Sequence, residues 1–175
     1  DIFNAKFKPL NSPVALFVDD AVPQHNTNAG ALGTYLYLKL FADLGYRVIF
    51  IPDNHKILEP YTTELMQYGI EVKHSLTTAE CRDWIKQYGK YIKVAWLSRP
   101  DESAKYIYTV KRYTDAVILY CGRDLHFKRN ERKLNIEGYS EQLALNIERL
   151  KDLEAKMMNE ADYSLLFTDA DVQIA

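Results

Sequence analysis

Cysteine is nearly missing from this chain. Of 175 residues two are cysteine, Cys81 and Cys121; a chain this long folds without covalent staples, so reduced thiols in a cytosolic setting are expected and a bridge between the two is open but unneeded. An excess of charge of either sign is missing too. Lys and Arg number 22 against 24 Asp and Glu, which leaves no global field to gather a nucleic-acid backbone or an acidic polymer, and no nucleic-acid partner is expected. No run reaches the roughly 18 consecutive apolar residues of a membrane span, and Asp1 to Leu10 lacks the apolar core behind a basic head that marks a signal peptide. His25, His55 and His74 follow no metal-ligand spacing and read as surface residues, so neither a metal nor a cofactor is implied. Internal repeats and low-complexity segments are absent.

What the chain does have is a 47% hydrophobic composition, enough for one ordinary domain, residues 1–175, that buries roughly 70% of the surface its unfolded chain exposes. Short β-branched and aromatic runs predict about six strands: Val14 to Val18, Arg47 to Ile51, Ile70 to Lys73, Ile92 to Leu97, Ala116 to Tyr120 and Tyr163 to Phe167. Helical patterns lie between them. Ala31 to Leu44 repeats leucine at Leu32, Leu36, Leu40 and Leu44; Pro60 to Tyr68, Thr78 to Tyr88 and Glu102 to Tyr113 are shorter. Gly45 and Gly69 stand where a left-handed helix end wants no Cβ. A last helix, Ser140 to Asn159, carries Leu143, Ile147, Leu150, Leu153 and Met157 on an inward stripe, with Glu148 to Asp152 and Glu154 to Met158 facing outward. Asp19 to Ala29 and Gly122 to Tyr139 read as the longest irregular stretches. Alternating elements with runs such as ALFV and AVILY imply an α/β fold, Rossmann-like and doubly wound, with a mostly parallel sheet buried on both faces. The last residues, Asp169 to Ala175, read as a helix starting, as in a piece of a longer protein.

In such a sheet the chemistry belongs beyond the carboxyl ends of the strands. The loop after the first strand, AVPQHNTNAGALGTY, ends in Gly30 and Gly33 as a helix opens; the glycines serve either close approach to a ligand or plain helix-strand packing. A dinucleotide fingerprint fails, since Asn28 stands where its first glycine is needed and the loop is too long for a tight turn. Asp53, which ends the second strand, does stand where an acid would hold a ribose. After the fifth strand, CGRDLHFKRNERK brings Asp124 and His126 beside Arg123, Lys128, Arg129 and Arg132. This is either a site for a sugar hydroxyl with cations facing phosphate or an anionic lipid surface, or a solvated basic helix with a capping Asp. Asp169-Ala170-Asp171 matches a metal-holding D-x-D, but helix capping after Thr168 is the better account.

Taken in order, ALFVDDAVPQHNTNAGALGTYLYLKLFADLGYRVIFIPDN, PYTTELMQYGIEV, WLSRP and CGRDLHFKRNER resemble the N-terminal lobe of GT-B-fold, group-1 glycosyltransferases of bacterial surface-polysaccharide assembly, over nearly the whole chain. The resemblance implies an enzyme that binds a nucleotide-sugar between two Rossmann-like lobes, this lobe holding a glycan or lipid-linked acceptor and the absent C-terminal lobe gripping most of the nucleotide. It also implies a cytoplasmic protein, peripheral at most at the inner face of the membrane, and an isolated chain without activity. Donor- or acceptor-binding roles fall to Asn28, Ala29, Gly30, Gly33 and Arg99, and catalytic roles to His126 and Asp124. A nicotinamide-dinucleotide-binding domain, a response-regulator-like signalling module suggested by the acidic pair in FVDD, and a catalytically silent scaffold are the alternatives.

Overall fold

Several helices begin where the local sequence supplies partners for their free N–H groups. In the computed structural model, which describes residues 12–174, β1 (Val14–Asp19) runs into a loop that ends at Asn28, whose side chain accepts from the Ala31 N–H at 2.8 Å and starts α1 (Ala29–Asp43). Gly45 takes φ 95° after α1 and Gly69 takes φ 88° after α2 (Tyr61–Gln67), ahead of β2 (Arg47–Pro52) and β3 (Glu71–Val72). Both act as the left-handed helix ends expected of them. Thr77 and Glu80 form a reciprocal capping box for α3 (Thr78–Tyr88). Beyond β4 (Ile92–Ser98), α4 (Pro100–Tyr113) has Pro100 at its first position, Asp101 and Glu102 in its first turn and Lys111 and Arg112 in its last, which complements the helix dipole. Then come β5 (Val117–Arg123), α5 (His126–Glu137), α6 (Glu141–Glu160), β6 (Tyr163–Leu166) and α7 (Asp169–Ile174).

The six strands form one all-parallel sheet in the order β3-β2-β1-β4-β5-β6, so the Rossmann-like α/β fold read from the sequence is the fold observed. Val14, Leu16 and Val18 of β1 point to one face, packed with Cys81, Tyr106, Val110 and Met157 from α3, α4 and α6. Ala15 and Phe17 point to the other, packed with Leu38, Ala42 and Leu65 from α1 and α2. Two-sided burial explains why the strand sequences lack polar alternation. Cys81 and Cys121 are free and lie in the cores of opposite faces, which excludes a bridge between them.

The structure fixes the orientation of α1 and corrects two expectations. The leucine stripe of α1 faces solvent: Leu32, Leu36, Leu40 and Leu44 are 42%, 53%, 48% and 64% exposed, while Thr34, Leu38 and Ala42 are buried. Stripes two residues apart on a helix lie on nearly opposite sides, and α1 has apolar residues on both. Gly122 to Tyr139 is not irregular, for α5 occupies most of it. Glu154 does not face outward; it is fully buried, and its two carboxylate oxygens accept from the His126 and Phe127 N–H groups at 2.8 and 3.0 Å. The cap that starts α5 is therefore tertiary, supplied by α6 from 28 residues away.

Candidate active site

The strand order reverses direction between β1 and β4, so the loops after these strands diverge to opposite faces and leave a crevice between them. Asp19 closes β1, Arg99 follows β4, and Arg123 closes β5. These three side chains meet. Asp19 is 3% exposed, and a carboxylate so buried needs charged or hydrogen-bonding partners. Its Oδ1 accepts from Arg99 Nε at 2.9 Å, and its Oδ2 accepts from the Thr34 hydroxyl at 2.7 Å and from Arg123 Nη2, which also donates to Thr34. Burial alone would raise the Asp19 carboxyl, but Arg123, then Arg99 and the Thr34 hydrogen bond, outweigh it and hold the group below its ordinary value. Asp20 behaves oppositely: burial and then the neighbouring Asp19 charge raise it, although Arg99 Nη2 reaches its Oδ1 at 3.2 Å.

Both arginines sit on strained backbone, Arg99 at φ 65° and Arg123 at φ 63°. Such conformations cost about 1–3 kcal/mol each in a residue with a Cβ, and they persist where the surroundings over-determine them. Here the strain turns two consecutive strand ends so that their guanidinium groups converge on one carboxylate. Beside them is a notch of about 160 Å³ whose walls include Asp20, Asn28, Ala31, Arg99 and Arg123. The opening turn of α1 borders it and adds the positive end of a helix dipole. Two guanidinium groups, a helix N-terminus, one neutralised carboxylate and one with raised affinity for protons make the notch fit to receive an anion.

Of the residues expected to bind donor or acceptor, Asn28 and Arg99 line this notch, and Ala29, Gly30 and Gly33 belong to the same end of α1. Gly30 has a specific reason to lack a side chain: a Cβ there would collide with the Arg123 guanidinium. Gly33 has none, since a Cβ would meet nothing within 4 Å. That leaves helix-strand packing without support as its purpose.

Asp124 and His126 lie at the same sheet edge but do not line the notch. His126 is 8% exposed, and its Nε2 stands 3.9 Å from Asp124 Oδ1, too far for a hydrogen bond. Burial first, and then the Arg129 cation, lower the imidazole to about 4. The ring is therefore neutral near pH 7 and a weak base. Asp124 also lies 3.5 Å from Arg129. Asp53 is occupied: the Tyr106 hydroxyl donates to it at 3.0 Å and Lys105 pairs with it. Thr168 and Asp171 cap α7 mutually, through the Asp171 N–H at 3.1 Å and the Thr168 hydroxyl at 2.6 Å. His25 and His55 are tied to Glu64 and Thr78 at 2.9 and 3.1 Å, and His74 to Ser75 at 3.0 Å. No group of three or more metal-ligating side chains occurs among the described residues, and among them no helix is long and apolar enough to cross a membrane.

Compared with family models, curated proteins and solved structures, the chain has no match. The site is therefore read from its own residues. Asp19, Thr34 and Arg123 are its centre, and the sequence signals for them were indirect. FVDD puts an acid at the end of a buried strand, which demands a counter-cation, and both β4 and β5 are followed or closed by arginine.

Proposed function

We propose that this domain is the acceptor-side lobe of a nucleotide-sugar-dependent glycosyltransferase, and that the notch between β1 and β4 receives a donor phosphate. The observation that carries the reading is the convergence of Arg99 and Arg123 on Asp19 next to the start of α1. A pyrophosphate leaving group gains negative charge as the sugar departs, and preorganised cations stabilise that charge most where the site is partly dry. Asp19 keeps both guanidinium groups aimed before the donor arrives. The Gly30 backbone lets Arg123 pass close to the helix start. Neutral His126 and its neighbour Asp124 would face the acceptor or the transferred sugar, with the uncharged imidazole suited to hydrogen-bond a hydroxyl. The acceptor is a glycan or lipid-linked sugar, and peripheral contact with a membrane surface belongs to the same proposal.

One observation favours a second reading. The strand order 3-2-1-4-5-6 is that of dinucleotide-binding sheets, which keeps a nicotinamide cofactor in contention. Against it, Asp53 is tied to Lys105 and Tyr106, and the loop after β1 runs through Asn28 rather than a tight glycine turn. Calorimetric titration of the 175-residue chain separates the two. A lobe that lacks its nucleotide-gripping partner should bind UDP- and GDP-sugars no tighter than about millimolar, roughly −4 kcal/mol, and should not bind NADH. Micromolar NADH binding favours the second reading, and micromolar nucleotide-sugar binding assigns the donor grip to this lobe.

A further inference from the structure

A second concavity lies toward the opposite rim of the sheet. Its floor is one face of three strands, formed by Val14 of β1, Arg47 and Ile49 of β2, and Glu71 with Lys73 along β3. The register sets Val14 beside Arg47 and Ile49 beside Glu71, so these side chains project together. The wall is aromatic: Trp84 and Tyr88, one turn apart on α3 with ring centroids 5.4 Å apart, and Tyr91 just before β4. The volume is about 570 Å³, within the range of small-molecule sites.

Its charges are unequal. Lys73 pairs with Glu71 at 2.5 Å and lies over the Trp84 ring at 5.0 Å, so those two cancel. Arg47 is half-buried and lines the cavity, yet its guanidinium has no hydrogen-bond or ion-pair partner among the described residues. The guanidinium keeps access to water and is free to turn into the cavity, and its fork of donors matches a carboxylate. Among the described residues, one positive charge without a counter-ion thus stands beside three aromatic rings.

We propose that this cavity binds a six-membered ring bearing one carboxylate, the ring face against Trp84 and Tyr88 and the carboxylate on Arg47. A uronic acid residue of an acidic saccharide has that form, and so does a simple aromatic carboxylate. Val14 and Arg47 open their strands whereas Asp19 closes β1, so the cavity stands apart from the notch and does not depend on what the notch binds.

Only two tryptophans occur, and Trp96 is 5% exposed in the core of the opposite face, so a ligand-induced change in emission reports Trp84. The chain is titrated with oligogalacturonate, with the corresponding neutral galactose oligomer and with benzoate. A saturable change with at least one acid and none with the neutral sugar is expected. Arg47→Gln and Tyr88→Ala should each weaken it roughly tenfold while leaving the melting temperature unchanged. Saturation by oligogalacturonate alone identifies a saccharide ligand, and by benzoate alone an aromatic one. No saturable response to either acid, equal affinity for the neutral oligomer, or undiminished binding by Arg47→Gln overturns the proposal.

Discussion

His126 shows how one side chain's surroundings set its chemistry. The ring is buried near a cation, and its folded value of about 4 lies below the ordinary 6.5. Between those pH values the unfolded chain binds a proton at this imidazole and the native one does not. Stability is therefore complete above about pH 6.5 and falls as pH drops toward 4, by up to about 3 kcal/mol from this group. The His126 ring resonances followed by NMR should titrate near 4, and His126→Gln should flatten the stability profile over that window. Titration near 6.5 would contradict the burial argument. Sequence reading placed His126 and Asp124 at the correct edge because both follow a strand. It undervalued Arg123, because nothing in CGRDLH shows that the arginine side chain turns back toward a carboxylate 104 residues earlier.

At the scale of elements, strands and capped helices were legible, since two-sided apolar runs, Gly45, Gly69 and the Thr77–Glu80 box are local signals. The α5 segment was not. Its charged residues are mostly basic, the cap at its start is Glu154 on another helix, and a long-range cap leaves no local trace. Removing that cap should expose its function. In Glu154→Ala two N–H groups at the start of α5 lose their acceptors inside the protein, at a cost of about 1–3 kcal/mol. Urea denaturation should register this loss, and hydrogen exchange should show faster opening of α5 than of β1. Unchanged stability and exchange would mean that α5 is held by its Phe127 and Leu134 packing alone. The orientation of α1 was not legible for another reason: periodicity reveals that a face is apolar but not which of two apolar faces meets the sheet.

For the whole molecule, the parallel doubly wound sheet followed from alternation, but the strand order did not, and the order is what creates the crevice. Only with β4 beside β1 and β5 beside β4 do Arg99 and Arg123 both reach Asp19. The proposed role of the molecule rests on that juxtaposition. The most direct measurement is sugar transfer from a panel of UDP- and GDP-sugars by the full-length protein, of which the proposal makes this chain one lobe, compared with its Arg99→Gln variant. Arg99 is the more exposed of the two arginines, with 28% of its side chain accessible against 12% for Arg123, so it is the better placed to leave Asp20 for a phosphate. The account predicts transfer from at least one donor and a fall in kcat/KM of roughly a hundredfold in Arg99→Gln, about 3 kcal/mol of lost transition-state stabilisation, with the fold intact by circular dichroism. Equal kcat/KM in the two proteins, or no transfer from any nucleotide-sugar by the full-length protein, would contradict it.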